Sequence, residues 1–85
     1  MVKTIRFKST QENWRKEYLG LKCNTVRKFD DKGDVRFQIL RDFAFERWSA
    51  INVEIENSDT METFCRRVTD VTEYDGYYII SWRHQ

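Results

Sequence analysis

The segment GLKCNTVRKF, Gly20 to Phe29, sets Lys22, Asn24, Thr25, Arg27 and Lys28 close together. Arginine offers a planar fork that grips a phosphate or a base edge with two hydrogen bonds. Lysine adds a point charge, and a threonine hydroxyl donates to or accepts from the same ligand. If the segment is a strand, Thr25 and Arg27 point to one face and Val26 to the other. Such a group suits a phosphorylated or nucleobase ligand. A competing reading makes Thr25 an ordinary strand residue and pairs Arg27 with an acid such as Asp70.

Arg66, Arg67 and Trp82 pose the same question later in the chain. Alternation on a strand sends Arg66 and Arg67 to opposite faces, so at most one lines a given cleft. Trp82 is either a stacking platform for a base or, as is commoner for a terminal-strand tryptophan, a ring that closes the core. Metal and thiol chemistry find little support. Cys23 and Cys65 are too few and too far apart for a zinc framework, and His84, the only histidine, adjoins the C-terminus. No metal or cofactor is expected.

The elements that must position these residues follow from periodicity. VKTIRF alternates as a short strand with Ile5 and Phe7 inward. Ser9 with Glu12 three residues on forms a capping-box pattern, and Trp14, Tyr18 and Leu21 continue as an apolar helical stripe toward Gly20, a helix stop. NTVRKF is then a second strand, and DDKGD a turn that uses Gly33. Residues 34–48 fit either a strand through Val35, Phe37 and Ile39 or a helix through Phe37, Leu40 and Ala44. Asp34 as a cap and the Gln, Leu, Arg, Ala and Glu content favour the helix. Phe43, Phe45 and Trp48 form a candidate exposed patch. INVEIEN, TFCRRVTDVT and YYIISW read as strands separated by turns at NSDT and EYDG, the last strand pairing antiparallel with Phe64 to Val71. The order is βαβ(α)βββ, an α+β half-barrel.

Eighty-five residues make one domain, and thirteen aromatic rings suit the dense core that so short a chain needs. No apolar run approaches a spanning length and the first residues lack a secretion core, so no membrane is expected and the location is cytoplasmic. Charge is unevenly spread. Residues 1–48 hold twelve Lys or Arg against seven Asp or Glu, and residues 49–85 three against seven. A basic face toward phosphate follows.

GLKCNTVRKF after a capped helix resembles the G-x-K-x-x-T-x-R signature of ASCH domains, a branch of the PUA-like superfamily. The run INVEIEN…DT…TFCRRVTDVTEYDGYYIISW is similar to the closing strands of small ASCH-like proteins of bacteria and their phages. The resemblance implies a small PUA-like β-barrel or half-barrel over residues 1–85, with one or two flanking helices. It also implies contact with RNA, a nucleotide or a modified base. One ASCH branch hydrolyses the amide of acetylated cytidine with a lysine, a threonine and a glutamate. Lys22 and Thr25 match the first two positions, but the motif places no glutamate.

The leading expectation is therefore a non-catalytic module that binds RNA, a nucleotide or a modified base through a basic cleft. Its contacts are Lys22, Asn24, Thr25, Arg27 and Lys28, with Arg66 and Trp82 as further candidates. A phage-encoded inhibitor of a host defence enzyme, acting in the host cytoplasm, is the alternative. It would dock through Glu54, Glu56, Asp59 and Glu62. An amidohydrolase using Lys22 and Thr25 comes third.

Overall fold

Ile5 and Phe7 turn inward from the first strand, β1 (Lys3–Ser9), as alternation requires. In the computed structural model, which describes residues 2–28, 34–45 and 50–84, six further elements follow. They are α1 (Gln11–Tyr18), β2 (Asn24–Lys28), α2 (Val35–Ala44), β3 (Ile51–Asn57), β4 (Thr63–Tyr74) and β5 (Tyr77–Trp82). The expected α+β order is the observed one, and residues 34–48 begin with a helix. Asp34 caps α2 by accepting from the Arg36 amide. Phe37 and Leu40 are buried on α2, whereas Ala44 is exposed. Of the turn expected at residues 30–34 only Asp34 is among the described residues, and the patch residue Trp48 lies outside them. Of that patch, Phe43 packs against the core and Phe45 is exposed.

The cap of α1 differs from expectation. Thr10, not Ser9, accepts from the Asn13 amide. Ser9 remains in β1, paired in register with Asn57, and its side chain is buried. The stripe differs too. Trp14 is core, its indole N–H donating to Ile55 O over 3.0 Å, but Tyr18 and Leu21 are exposed. The buried partner of Trp14 is Glu17. Gly20 does stop the helix, at φ 82°.

The sheet order is β1-β3-β4-β5-β2, with β1 and β3 parallel and the other pairs antiparallel. Asp75 and Gly76, both at positive φ, form the tight turn between β4 and β5. β5 pairs antiparallel with Val68–Tyr74, a register further along β4 than Phe64 to Val71. The long β4 serves β3 with its first half and β5 with its second, and a bulge between Val68 and Asp70 divides the two. Bulges bend a strand and sharpen its twist. The five strands curl into a half-barrel around Ile5, Ile51, Val53, Ile55, Phe64, Tyr78 and Ile80. Curling brings the two outer strands together, and Arg27 Nη2 on β2 donates to Ser9 Oγ on β1 over 3.2 Å. The line where β1 and β2 face each other without pairing is the seam of the half-barrel.

Candidate functional site

Three of the four buried polar residues among those described meet at this seam: Ser9 from β1, Glu17 from α1 and Thr25 from β2. The fourth, Asn57, has a local explanation, since its side-chain oxygen accepts from the amides of Asp59 and Thr60 and closes a turn. Ser9, Glu17 and Thr25 line a recess of about 260 Å³ together with Lys22 and Arg27. Its geometry follows from local rules. Thr25 and Arg27 are two apart on a strand and share the inward face, while Val26 points out and is exposed. Gly20 turns the chain after α1 so that Lys22 returns to Glu17, with Nζ 3.6 Å from Oε2.

Arg27 is held on several sides. Its Nε donates to Thr25 Oγ1 over 3.0 Å, and its guanidinium carbon lies 4.7 Å from the centre of the Phe7 ring. Asp70 is not its partner; that carboxylate accepts from Thr72 instead. The Thr25 hydroxyl accepts from Arg27 and keeps its own proton to donate. Glu17 is fully buried, and burial pushes its carboxyl above the usual range despite Ser9, Lys22 and Arg27, which pull it down. Burial likewise pulls Arg27 below the ordinary arginine value, and Glu17 opposes that shift.

A wider groove of about 580 Å³ adjoins the recess and shares Lys8 and Arg27 with it. Five cations line it: Arg6, Lys8, Arg27, Lys28 and Arg36. Two are engaged already. Arg6 pairs with Glu54 and Glu56 on β3, and Arg36 with its neighbour Asp34. Lys8 and Lys28, both exposed, and Arg27 keep positive charge available to a ligand.

Lys22, Thr25 and Arg27 thus share one recess, and Lys28 flanks it in the groove. Asn24, on the alternate face of β2, is not among the lining residues. Trp82 is 3% exposed and belongs to the core, its ring edge-on to Phe64, so it offers no platform to a base. Arg66 lies apart, in a second recess that it shares with Arg67. Strand alternation allows only one of these two in a single cleft. The reason for the difference is that β5 pairs with β4 only from Val68 onward, leaving the preceding edge of β4 open. Arg66 folds over that edge, its Nη1 donating to Cys65 O over 2.9 Å.

Glu17 is the site residue that sequence reasoning missed. Its signal was its position three residues after Trp14, on the same helical face. Among the described residues no group of three His, Cys, Asp or Glu is placed to hold a metal ion. No helix among them is long and apolar enough to cross a membrane. No protein-family model matches the chain, and no curated protein matches its sequence.

Proposed function

We propose that the chain binds RNA, a nucleotide or a modified base at the seam, with phosphate along the basic groove and the base at the recess. The observation that carries this reading is the convergence of buried Ser9, Glu17 and Thr25 beside Arg27 and an open run of cations. Burying polar groups costs free energy unless they are bonded, so a fold gains nothing from collecting them at one edge. A ligand that bonds them does gain. Arg27, held by Thr25, Ser9 and Phe7, is pre-organised for such a role.

Binding through this groove releases counterions, so affinity for single-stranded RNA should fall steeply as salt rises. Arg27→Ala should weaken it by about 1–3 kcal/mol, and Arg27→Lys should restore only part, because an ammonium lacks the bidentate fork. Circular dichroism must show both variants folded. Salt-insensitive binding together with a silent Arg27→Ala would sink the proposal.

One observation favours a second reading, amide hydrolysis of an acylated cytidine. Glu17 stands 3.6 Å from Lys22 in the same recess as Thr25, so a carboxyl, an amine and a hydroxyl are grouped. That reading expects turnover of acetylcytidine that disappears in Lys22→Ala, Thr25→Ala and Glu17→Gln alike. The binding reading expects affinity without turnover.

A further inference from the structure

The open edge of β4 carries a second basic recess, of about 430 Å³, lined by Cys65, Arg66, Arg67, Thr69 and Arg83. Among the described residues no carboxylate lines it, and none of its three arginines forms an ion pair. The neighbouring acids are turned to other work: Glu54, opposite Cys65 in register, pairs with Arg6, and Asp70 accepts from Thr72.

Arg66 is built in rather than loose. Its guanidinium carbon lies 4.7 Å from the centre of the Phe64 ring and 5.9 Å from that of Tyr18. Its two terminal nitrogens donate to Cys65 O and Tyr18 O. Nε, by contrast, is buried without an acceptor. That atom is closed off from solvent, so a ligand meets the charge of Arg66 rather than its Nε. With no carboxylate lining the recess among the described residues, that charge stays available to an oxyanion. Arg67 spends its Nε on Asn52 Oδ1, which fixes the side chain and leaves its outer fork free. Arg83, just beyond β5, is exposed.

We infer that this recess is a second phosphate site, taking a phosphate of the same nucleic-acid strand that also occupies the seam, with at least one nucleotide between the two. The inference rests on the proposed function. What joins the two sites is the last turn of α1. Glu17 from that turn lines the seam recess, and the carbonyl of the next residue, Tyr18, is bonded by Arg66. A helix is about 10 Å across, too wide for a mononucleotide to bridge but not for a short strand. Tyr18, whose carbonyl accepts from Arg66, is stacked on Trp14 and 47% exposed, and offers its ring to an intervening base.

The test compares uridine monophosphate with a six-residue oligouridylate on the intact chain and on the Arg67→Ala/Arg83→Ala double variant. Both substitutions are at exposed positions. The double variant should bind the mononucleotide as the parent does and the oligonucleotide about tenfold more weakly. Its salt slope should be shallower by about 0.7 for each phosphate that is no longer neutralised. Equal oligonucleotide affinity in parent and variant would overturn the inference. Arg27→Ala separates it from the seam reading, since that change should weaken both ligands. A pyrophosphate titration, followed by the NMR signal of the Arg66 Nε–H, tests the recess alone. A saturable shift absent from the double variant supports the phosphate assignment even if the oligonucleotide does not bind, in which case the strand is discarded. No shift at millimolar pyrophosphate removes the site.

Discussion

On the closed side of the half-barrel β3 sends Ile51, Val53 and Ile55 inward, and all three are fully buried. Across the core, the inward positions next to the seam belong to Ser9, Glu17 and Thr25. The two regions are buried alike and built from opposite chemistry. Apolar side chains on β3 gain free energy from leaving water, about 25 cal/mol for each Å². The seam residues lose hydration and recover only part of it: the Glu17 carboxylate oxygens have no hydrogen bond within normal length, and their nearest cation is 3.6 Å away. One side holds the fold together, and the other is kept at some cost to it. Sites that act on ligands are where such costs concentrate.

The largest test of this contrast lies on β3. Ile55→Ala leaves a cavity in the middle of the core and should destabilise the chain by about 2–5 kcal/mol in urea unfolding. The folded fraction should bind ligand as before, because Ile55 is not among the residues lining the seam recess. A comparable loss from Thr25→Val would break the comparison, since it would make the seam as structural as the closed side.

Gly20 comes next, because it joins α1 to the seam. Both Gly20 and Gly76 have φ near +80°, where a side chain costs about 1–2 kcal/mol. A Cβ at Gly76 meets nothing within 4 Å, whereas one at Gly20 would stand 2.6 Å from the His84 ring. Gly20→Ala should therefore cost more than Gly76→Ala, by about 1 kcal/mol or more. It should also displace Lys22 and weaken ligand binding. In a His84→Ala background the two alanine costs should converge, as a double-mutant cycle would show. Equal costs already in the parent would mean that the ring swings aside freely and that backbone strain alone sets them, while a difference surviving His84→Ala would show that the ring is not its source.

The same contrast explains what could be read from the sequence. The β3 alternation, the Asp75–Gly76 turn and the Gly20 stop depend on near neighbours, and each was legible. So was the shared face of Thr25 and Arg27. Ser9 looked like a cap because its hydroxyl and Glu12 have the right spacing, but the parallel pairing of β1 with β3 extends through Ser9↔Asn57 and leaves the cap to Thr10. Glu17 escaped for a related reason. A glutamate in a helix that is mostly polar reads as solvated, and only the approach of β1 to β2 buries it. The open edge that brings Arg66 beside Arg67 depends on where β5 ends against β4, which alternation along one strand does not contain.

Glu17→Gln gives the smallest expected effect and the sharpest probe of the seam. Because burial raises the folded carboxyl above its ordinary value of 4.5, the native chain holds more protons than the unfolded chain across that interval. Stability must then fall as pH rises through it. Below pH 4.5 the burial of Glu17 costs nothing in charge; above the folded value the full cost is present. Glutamine keeps the shape and never ionises, so the variant should match the parent at low pH and exceed it at neutral pH. The gain should be on the order of 1 kcal/mol, the size of one buried polar interaction. Urea unfolding of both proteins at several pH values from acid to neutral measures the difference. A variant that becomes less stable than the parent as pH rises would show that the Glu17–Lys22 pair stabilises the fold on balance. The seam would then be a structural ion pair, and the case for a ligand there would rest on the basic groove alone.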